Sequence, residues 1–529
     1  MSMLLVGASE PMLGASSYET LFLIGAGVVA LGMLLWDTIE VGRNDAANLV
    51  NAVFGARILD RRHAVYLAGA AVVLGATVSS PVMDTARKGI FDPTMLTIEA
   101  ALSVYVAVYI VDTVLLYSYS AFGMPVSTTA CLVFELLGAA FAVGGFGVVS
   151  WTTAGRVLVA IICSITITVI AAFMIQRVVR GAIRDRTTNL AVLLSHGGWV
   201  GGGMLAGLTH FMLVKGMKQV EFVKFLNQEF VQAYGPLITL LVLWAFYAIV
   251  IHVLLVLFGK RAAKKLFPGL AIVGMISMAF AFGQNDLANC ASPGLAALNL
   301  LQHWEAGVVV ATEVPIPIWA LAGCGFLMAL GMTTQNAQRV TSAGVHMGSM
   351  AHQVRLWAPE WCIALARGLL RFRGHQPVLA PLPKITASGK RLHYDALRAS
   401  VILAVSASVI ATASGFGLPV STTYVCFAAV VATGMADRIF QRGDADLKLA
   451  RTIWVVFSWF AAAAIAAVCT GFVCLAVYHA GIVGIVIGIG GNLTIRHFMK
   501  ARADAQELRV QEATADRRHP ERYAEEYEE

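Results

Sequence analysis

Charge is what this sequence has little of. Only 13% of its residues are charged and 58% are hydrophobic, where a soluble domain carries about 25% charged residues. That shortage excludes a water-soluble globular chain and leaves a polytopic membrane protein. The cysteines lie mostly inside apolar stretches and none forms a Cys-x-x-Cys pair, so neither a disulfide framework nor a metal centre is indicated. No His-Glu-x-x-His or Gly-x-Ser-x-Gly motif occurs, which leaves a membrane enzyme without a visible catalytic centre. The glycine-rich stretch "SHGGWVGGG" at Ser195 lacks the lysine of a phosphate-binding loop and reads as tight helix packing. The first twenty residues contain no basic segment, so no cleavable signal peptide is expected.

Long apolar runs are abundant. Examples are "LFLIGAGVVALGMLLW" from Leu21, "VLVAIICSITITVIAAFM" from Val157 and "LITLLVLWAFYAIVIHVLLVLF" from Leu237. A spanning helix needs roughly 20 mostly apolar residues. The runs do not alternate polar and apolar as barrel strands do, so the expected fold is all-α. The formal net charge of +7 is not a nucleic-acid signature. Its basic residues sit in clusters between apolar spans: Arg57, Arg61 and Arg62; Arg177, Arg180, Arg184 and Arg186; Lys260, Arg261, Lys264 and Lys265. Such clusters mark cytoplasmic loops of a multi-pass protein of the plasma (inner) membrane.

About eleven to twelve hydrophobic segments are expected. They group into a first block over 18–180, intervening helices over 187–258, and a second block over 268–490. The second block is interrupted by a polar loop over 355–398 that reads as cytoplasmic. A charged tail over 491–529 is read as soluble and partly disordered.

Each block contains the same two polar phrases in the same order. "GRNDAANLVNAVFGARIL" begins at Gly42 and "GQNDLANCASPGLAALNL" at Gly283; "AFGMPVSTTACL" begins at Ala121 and "GFGLPVSTTYVC" at Gly415. Asp45 precedes Ser127 by 82 residues and Asp286 precedes Ser421 by 135, the polar loop supplying most of the difference. Paired, ordered motifs of this length indicate an internal duplication.

A carboxylate and two amides at membrane depth are costly. Asn44, Asp45 and Asn48 span one helical turn, as do Asn285, Asp286 and Asn289, so their side chains can converge. Their oxygens suit a hard cation such as Na⁺. In the second phrase, Pro suits a first helical turn and Ser or Thr caps it. The free N–H groups of such a helix start favour an anion, and the hydroxyls of Ser127, Thr128, Thr129, Ser421, Thr422 and Thr423 add donors without fixed charge. For one copy of either phrase, helix capping or helix–helix hydrogen bonding would suffice. Two copies favour a shared site near the midplane between repeats, the layout of a secondary transporter. That site would hold an oxyanion beside cations, because an anion of charge near −2 is not dehydrated alone.

At these residues the chain resembles the inorganic phosphate transporter (PiT) family. The Gly-x-Asn-Asp-x-Ala-Asn phrases at Gly42 and Gly283 and the Pro-x-Ser-Thr-Thr starts at Pro125 and Pro419 carry the resemblance, over about residues 20–490. It implies an inverted-repeat fold and symport of inorganic phosphate with Na⁺ or H⁺. It also places Asp45, Asn48, Asp286 and Asn289 with both Ser-Thr-Thr sets around substrate and ions. Two departures stand out. Arg43 and Gln284 precede the Asn-Asp pairs, where the family often has a small residue. Ala130 and Tyr424 follow the Ser-Thr-Thr sets, where it often has His. Sulfate is therefore an alternative substrate, and a passive anion channel an alternative of another class. Arg43 is expected to face a headgroup or water; the sharper reading has its guanidinium replacing one bound cation.

The other acids in apolar context are Asp37, Glu40, Asp112, Glu135 and Glu313. Glu135 lies six residues beyond Thr129, and the stretch after Thr423 has no counterpart. That asymmetry makes it the expected proton-handling residue, against a structural pairing with a hydroxyl or amide. His196, His210 and His252 are isolated and read as structural. No cofactor, resident metal or nucleic-acid partner is expected, only the anion, its coupling ion and the bilayer; homo-oligomerisation is left open.

Overall fold

Lipid offers the backbone no hydrogen-bond partner, so apolar stretches satisfy their own peptide groups as helices. A computed structural model of the chain describes residues 17–79, 89–212, 217, 221–302, 317–351, 354–372, 392–441 and 443–516. Among them there is no strand, only an isolated bridge between Phe91 and Val149. The first Asn-Asp phrase lies on α1 (Ser17–Gly55), which is followed by α2 (Arg61–Ala76). α3 (Ile98–Ala121) and α4 (Thr128–Gly144) form a hairpin around the first Ser-Thr-Thr phrase. Next come α5 (Trp151–Ile183), α6 (Leu190–Thr209), the short α7 (Glu221–Leu226) and α8 (Pro236–Gln302), which carries the second Asn-Asp phrase. α9 (Ile318–Gly331), α10 (Gln335–Met347) and α11 (Glu360–Phe372) lead to the second hairpin, α12 (Ala396–Gly415) with α13 (Thr422–Ala436). α14 (Ala445–Ala480) and α15 (Ile482–Asp516) complete the described helices.

Eight of the described helices are long and apolar enough to cross a membrane, and α9 with α10, bent by 69°, makes a ninth if taken as one span. α8 runs for 67 residues and breaks at Gly259, where φ is 51° and ψ is −127°. At about 1.5 Å per residue it is far longer than the roughly 30 Å hydrocarbon core, so it supplies two crossings. The basic cluster Lys260, Arg261, Lys264 and Lys265 follows that break directly. α4 and α13, of 17 and 15 residues, are shorter than a full span. The segments expected from the sequence thus divide into full crossings and short, buried pieces.

The hairpins exchange partners. α4 packs on α14 and α13 packs on α5, so each short helix leans on the long helix nearest the other hairpin. α1 packs on α9, and α8 on α2. These last two contacts explain the glycine that opens each Asn-Asp phrase. A Cβ on Gly42 would lie 1.9 Å from Met328 O on α9, and one on Gly283 would lie 2.2 Å from Val72 O on α2. Any side chain there would push the motif helix off its neighbour.

Two segments differ from the sequence expectation. The polar stretch over 355–398 contains α11, whose Cys362 and Ala366 bury against Ala450 of α14 while Trp361, Leu365, Leu369 and Phe372 stay exposed; residues 373–391 lie outside the described residues. The charged tail is not loose where it begins. α15 continues through it to Asp516, and its charges are used: Arg496 Nη2 lies 2.6 Å from Glu40 Oε1, and Asp504 and Glu507 both lie 2.5 Å from Arg339. Residues 517–529, and Glu313 among the expected intramembrane acids, lie outside the described residues.

Candidate functional site

Each Ser-Thr-Thr phrase opens a helix, though not as its proline suggested. Ser127 and Ser421 are the capping residues; their Oγ atoms accept from Ala130 N at 3.0 Å and Tyr424 N at 3.1 Å. Pro125 and Pro419 therefore lie two residues before the cap, in the extended link, not in the first turn. The preceding Gly123 and Gly417 have φ of 62° and 67°. A residue with a Cβ is strained there, which is why both phrases begin Phe-Gly.

The links between helices are held by the Asn-Asp phrases. Asn44 Nδ2 donates to Val126 O at 2.6 Å, and Asn285 Nδ2 donates to Val420 O at 2.8 Å. The return bonds are longer, Val126 N to Asn44 Oδ1 at 3.4 Å and Val420 N to Asn285 Oδ1 at 3.3 Å. Ser120 and Ser414 also donate to these two amide oxygens, each at 3.4 Å. The sequence reading passed over both serines, although each stands seven residues before its Ser-Thr-Thr phrase.

The carboxylates, in contrast, are bound crosswise. Thr423 Oγ1, from the second hairpin, lies 2.6 Å from Asp45 Oδ1. Thr128 Oγ1, from the first, lies 2.9 Å from Asp286 Oδ1 and 3.5 Å from Asp45 Oδ2. Asn48 Nδ2 donates to Asp45 Oδ1 at 2.7 Å and Thr423 Oγ1 at 3.0 Å. Asn289 Nδ2 reaches Asp286 Oδ1 at 2.9 Å, Thr129 Oγ1 at 2.9 Å and Thr128 Oγ1 at 3.1 Å. Thr129 in turn donates to Val420 O at 3.0 Å, and Thr423 lies 3.1 Å from Val126 O. Every one of these polar residues is at most 3% exposed. The structure thus gathers Asn44, Asp45, Asn48, Asn285, Asp286, Asn289 and the two Ser-Thr-Thr sets where α1, α4, α8 and α13 meet, while Glu135 lies outside this cluster.

The cluster has spare acceptors. Asn289 Oδ1 is buried without a hydrogen-bond partner, and the Thr422 hydroxyl lies beside Asp286 without forming a well-shaped bond to it. Buried oxygens of this kind, beside two carboxylates, are ligands a hard cation can use. Donors are present as well: hydroxyls on two facing helix starts, with no guanidinium or ammonium among them. Such a set can hold an oxyanion by hydrogen bonds and helix ends and still release it.

Arg43 does not contact the cluster, nor does it face water or headgroups as expected. Its Nη1 lies 2.7 Å from both Glu40 oxygens and its Nε donates to Thr334 at 3.2 Å. Tyr424, one of the two departures from the family pattern, stacks on Trp459 at 3.9 Å, and Trp459 Nε1 donates to Pro125 O at 3.3 Å. The aromatic pair closes the side of the first hairpin. His196 accepts from Trp199 Nε1 at 3.2 Å and His252 is exposed, so neither reaches the cluster. A cavity of about 740 Å³ between α5, α6, α8 and α12 is almost wholly apolar and meets the site only at Val420. Glu135, the expected proton-handling residue, is fully buried, and neither of its oxygens has a donor partner.

Comparison with known proteins identifies the family and the fold. The model of the phosphate transporter family matches residues 41–354 and 385–470. A predicted phosphate permease of Thermococcus kodakarensis is 25% identical over 457 residues, covering 84% of this chain and 95% of the relative. Another, from Pyrococcus horikoshii, is 24% identical over 441 residues, covering 82% and 93%. A solved structure titled as a sodium-dependent phosphate transporter superposes with a TM-score of 0.61 at 21% identity, over 86% of this chain and 98% of that one.

Proposed function

The chain belongs to the phosphate transporter family, and we propose that it carries inorganic phosphate across the plasma membrane by symport with a cation. The observation that supports this most directly is the crossed wiring of the two halves: Thr423 on Asp45 at 2.6 Å and Thr128 on Asp286 at 2.9 Å. Each hairpin lends a hydroxyl to the other half's carboxylate. A phosphate entering between the helix starts competes for those hydroxyls, because its oxygens are strong acceptors and the N-terminal peptide N–H groups already favour it. When Thr128 and Thr423 turn to the anion, Asp45 and Asp286 lose a donor each. A carboxylate that loses a donor in a dry site is less stable as the anion, and a cation taking the vacated place restores it. Asn44, Asn48, Asn285 and Asn289 sit within the same helical turns to complete its shell. Anion and cation binding are then mutually dependent, which is coupling in the thermodynamic sense.

In this reading the two halves are inverted repeats, over 18–180 and 268–490, and the helices over 187–258 join them. Alternating access would come from one half rocking against the other about the shared site. The test is uptake of labelled phosphate by the full-length chain in liposomes, with sulfate as competitor. Accumulation above the external concentration, saturable and resistant to excess sulfate, is expected. Equilibration without accumulation would make the protein a passive anion pathway, and competition by sulfate at equal concentration would move the substrate to that oxyanion.

A further inference from the structure

α1, α3 and α4, which carry Asn44, Ser120 and Thr128 at the anion site, carry a second set of polar residues two turns away. Asp37 lies seven residues before Asn44 on α1, Asp112 eight before Ser120 on α3, and Glu135 seven after Thr128 on α4. At about 1.5 Å per residue this second polar layer is some 10–12 Å from the first. Asp37, Asp112 and Glu135 are 1%, 2% and 0% exposed. The Asp112 carboxyl is within hydrogen-bonding reach of those of both Asp37 and Glu135. Yet no protein donor reaches Asp37 Oδ1, Asp112 Oδ1 or either oxygen of Glu135. Acceptor therefore faces acceptor at each contact, and only a hydrogen between the oxygens makes either one a bond.

Among the described residues no cation forms an ion pair with the three acids; Arg43 and Arg496 are both committed to Glu40, one turn along α1 from Asp37. The other titratable groups around the three acids are neutral in character: Tyr109 on α3, Cys131 on α4 and Cys290 on α8. Tyr109 is spoken for, donating to Cys290 O at 2.7 Å and accepting from Gly294 N at 2.7 Å. Among the described residues no group of three His, Cys, Asp or Glu side chains is spaced to hold a metal ion. Carboxyls in direct contact can share protons between their oxygens.

The layer also breaks the twofold pattern of the site. Counting the same intervals from Asn285, Ser414 and Thr422 lands on Met278, Ser406 and Ala429. The second half has the anion-site residues without the acids. Helix packing alone does not ask for three contacting carboxyls in one half and methionine, serine and alanine in the other.

We propose that Asp37, Asp112 and Glu135 form a proton-binding site at the junction of α1, α3 and α4, and that H⁺ is the ion this site couples to transport. Protonated, the three acids hydrogen-bond and draw the helices together; ionised, they repel and open the junction. Because α1 carries Asp45 and α4 carries Thr128, that movement is transmitted to the anion site. The proposal rests on the reading of the chain as a phosphate carrier, and two measurements separate them. In liposomes, an acid-outside pH gradient without Na⁺ should drive phosphate accumulation in the wild type. Glu135→Gln and Asp112→Asn should each cut that accumulation by about tenfold or more while leaving phosphate exchange at equal pH within about twofold. Unchanged pH-driven accumulation in both variants, or accumulation that follows a Na⁺ gradient and ignores pH, overturns it. Infrared difference spectra of the purified protein read the carboxyls without transport. A protonated-carboxyl band at neutral pH, reduced by Glu135→Gln, is expected, and its absence in the wild type refutes the site. A protein that keeps the band but exchanges no phosphate would refute the carrier reading instead.

Discussion

Asp45 and Asp286 are held by similar sets of donors from different places. Asp45 Oδ1 accepts from Thr423 at 2.6 Å, Asn48 at 2.7 Å and Asn44 at 3.1 Å. Asp286 accepts from Thr128 at 2.9 Å, Asn289 at 2.9 Å and Asn285 at 3.3 Å. An asparagine in either place keeps the shape but has one acceptor oxygen and turns an NH₂ toward donors. Losing even one charge-assisted bond is worth about 1.5–3 kcal/mol, or roughly tenfold and more in rate. Asp45→Asn and Asp286→Asn should therefore each lower phosphate uptake by at least about tenfold, while the helical signal in circular dichroism stays that of the wild type. Wild-type uptake by both variants would show that the carboxylates only staple the halves together. At this scale the sequence was informative: the Asn, Asp, Ser and Thr residues taken from the duplicated phrases lie in the cluster, though Arg43 does not. It was less informative on partners. Nothing in the order of residues says that Thr423 serves Asp45 and Thr128 serves Asp286, since those pairs are 378 and 158 residues apart.

Helices meet here at backbone distance. The Asn-Asp phrases can lie against α9 and α2 only because Gly42 and Gly283 lack a Cβ. Gly42→Ala and Gly283→Ala should destabilise the fold by about 1–3 kcal/mol each, the usual cost of overpacking. Gly32→Ala, where a Cβ meets nothing within 4 Å, is the control and should be neutral or better in the same thermal-unfolding measurement. Equal melting temperatures for all three would mean the helices separate freely. The sequence offered the glycines but not their reason. A glycine before a polar motif reads equally as a loosened helix or a close contact, and only the neighbouring backbone distinguishes them. The lengths of α4 and α13 were similarly ambiguous, because hydropathy measures apolar character and not whether a helix crosses or stops half-way.

Across the molecule, the last helix ties back to the first. Arg496 on α15 and Arg43 on α1 share Glu40, which is fully buried, and Arg496 lies over the rings of Trp36 and Tyr117 at 4.6 and 4.0 Å. Arg339 binds Asp504 and Glu507, whose side chains are 45% and 41% exposed. Removing the buried anion strands two guanidinium groups, an event that costs about 3–5 kcal/mol, whereas exposed pairs contribute about 0–1 kcal/mol. Glu40→Gln should thus lower the melting temperature clearly, and Arg339→Gln should barely move it but should speed hydrogen exchange along residues 497–512. The reverse order would mean that α15 is anchored by its exposed end.

The sequence alone determined that this chain is a helical membrane protein, that its two polar phrases occur twice, and which residues could bind an anion and a cation. Those properties are local: hydrophobicity, helix capping and the chemistry of Asp, Asn, Ser and Thr are written in each segment. The fold decided which half serves which. It crossed the hydroxyls between the carboxylates, paired Arg43 with the buried Glu40 and set three acids from α1, α3 and α4 in contact. Such pairings depend on how helices hundreds of residues apart lie against one another, and side-chain order along one helix does not encode the face of the next.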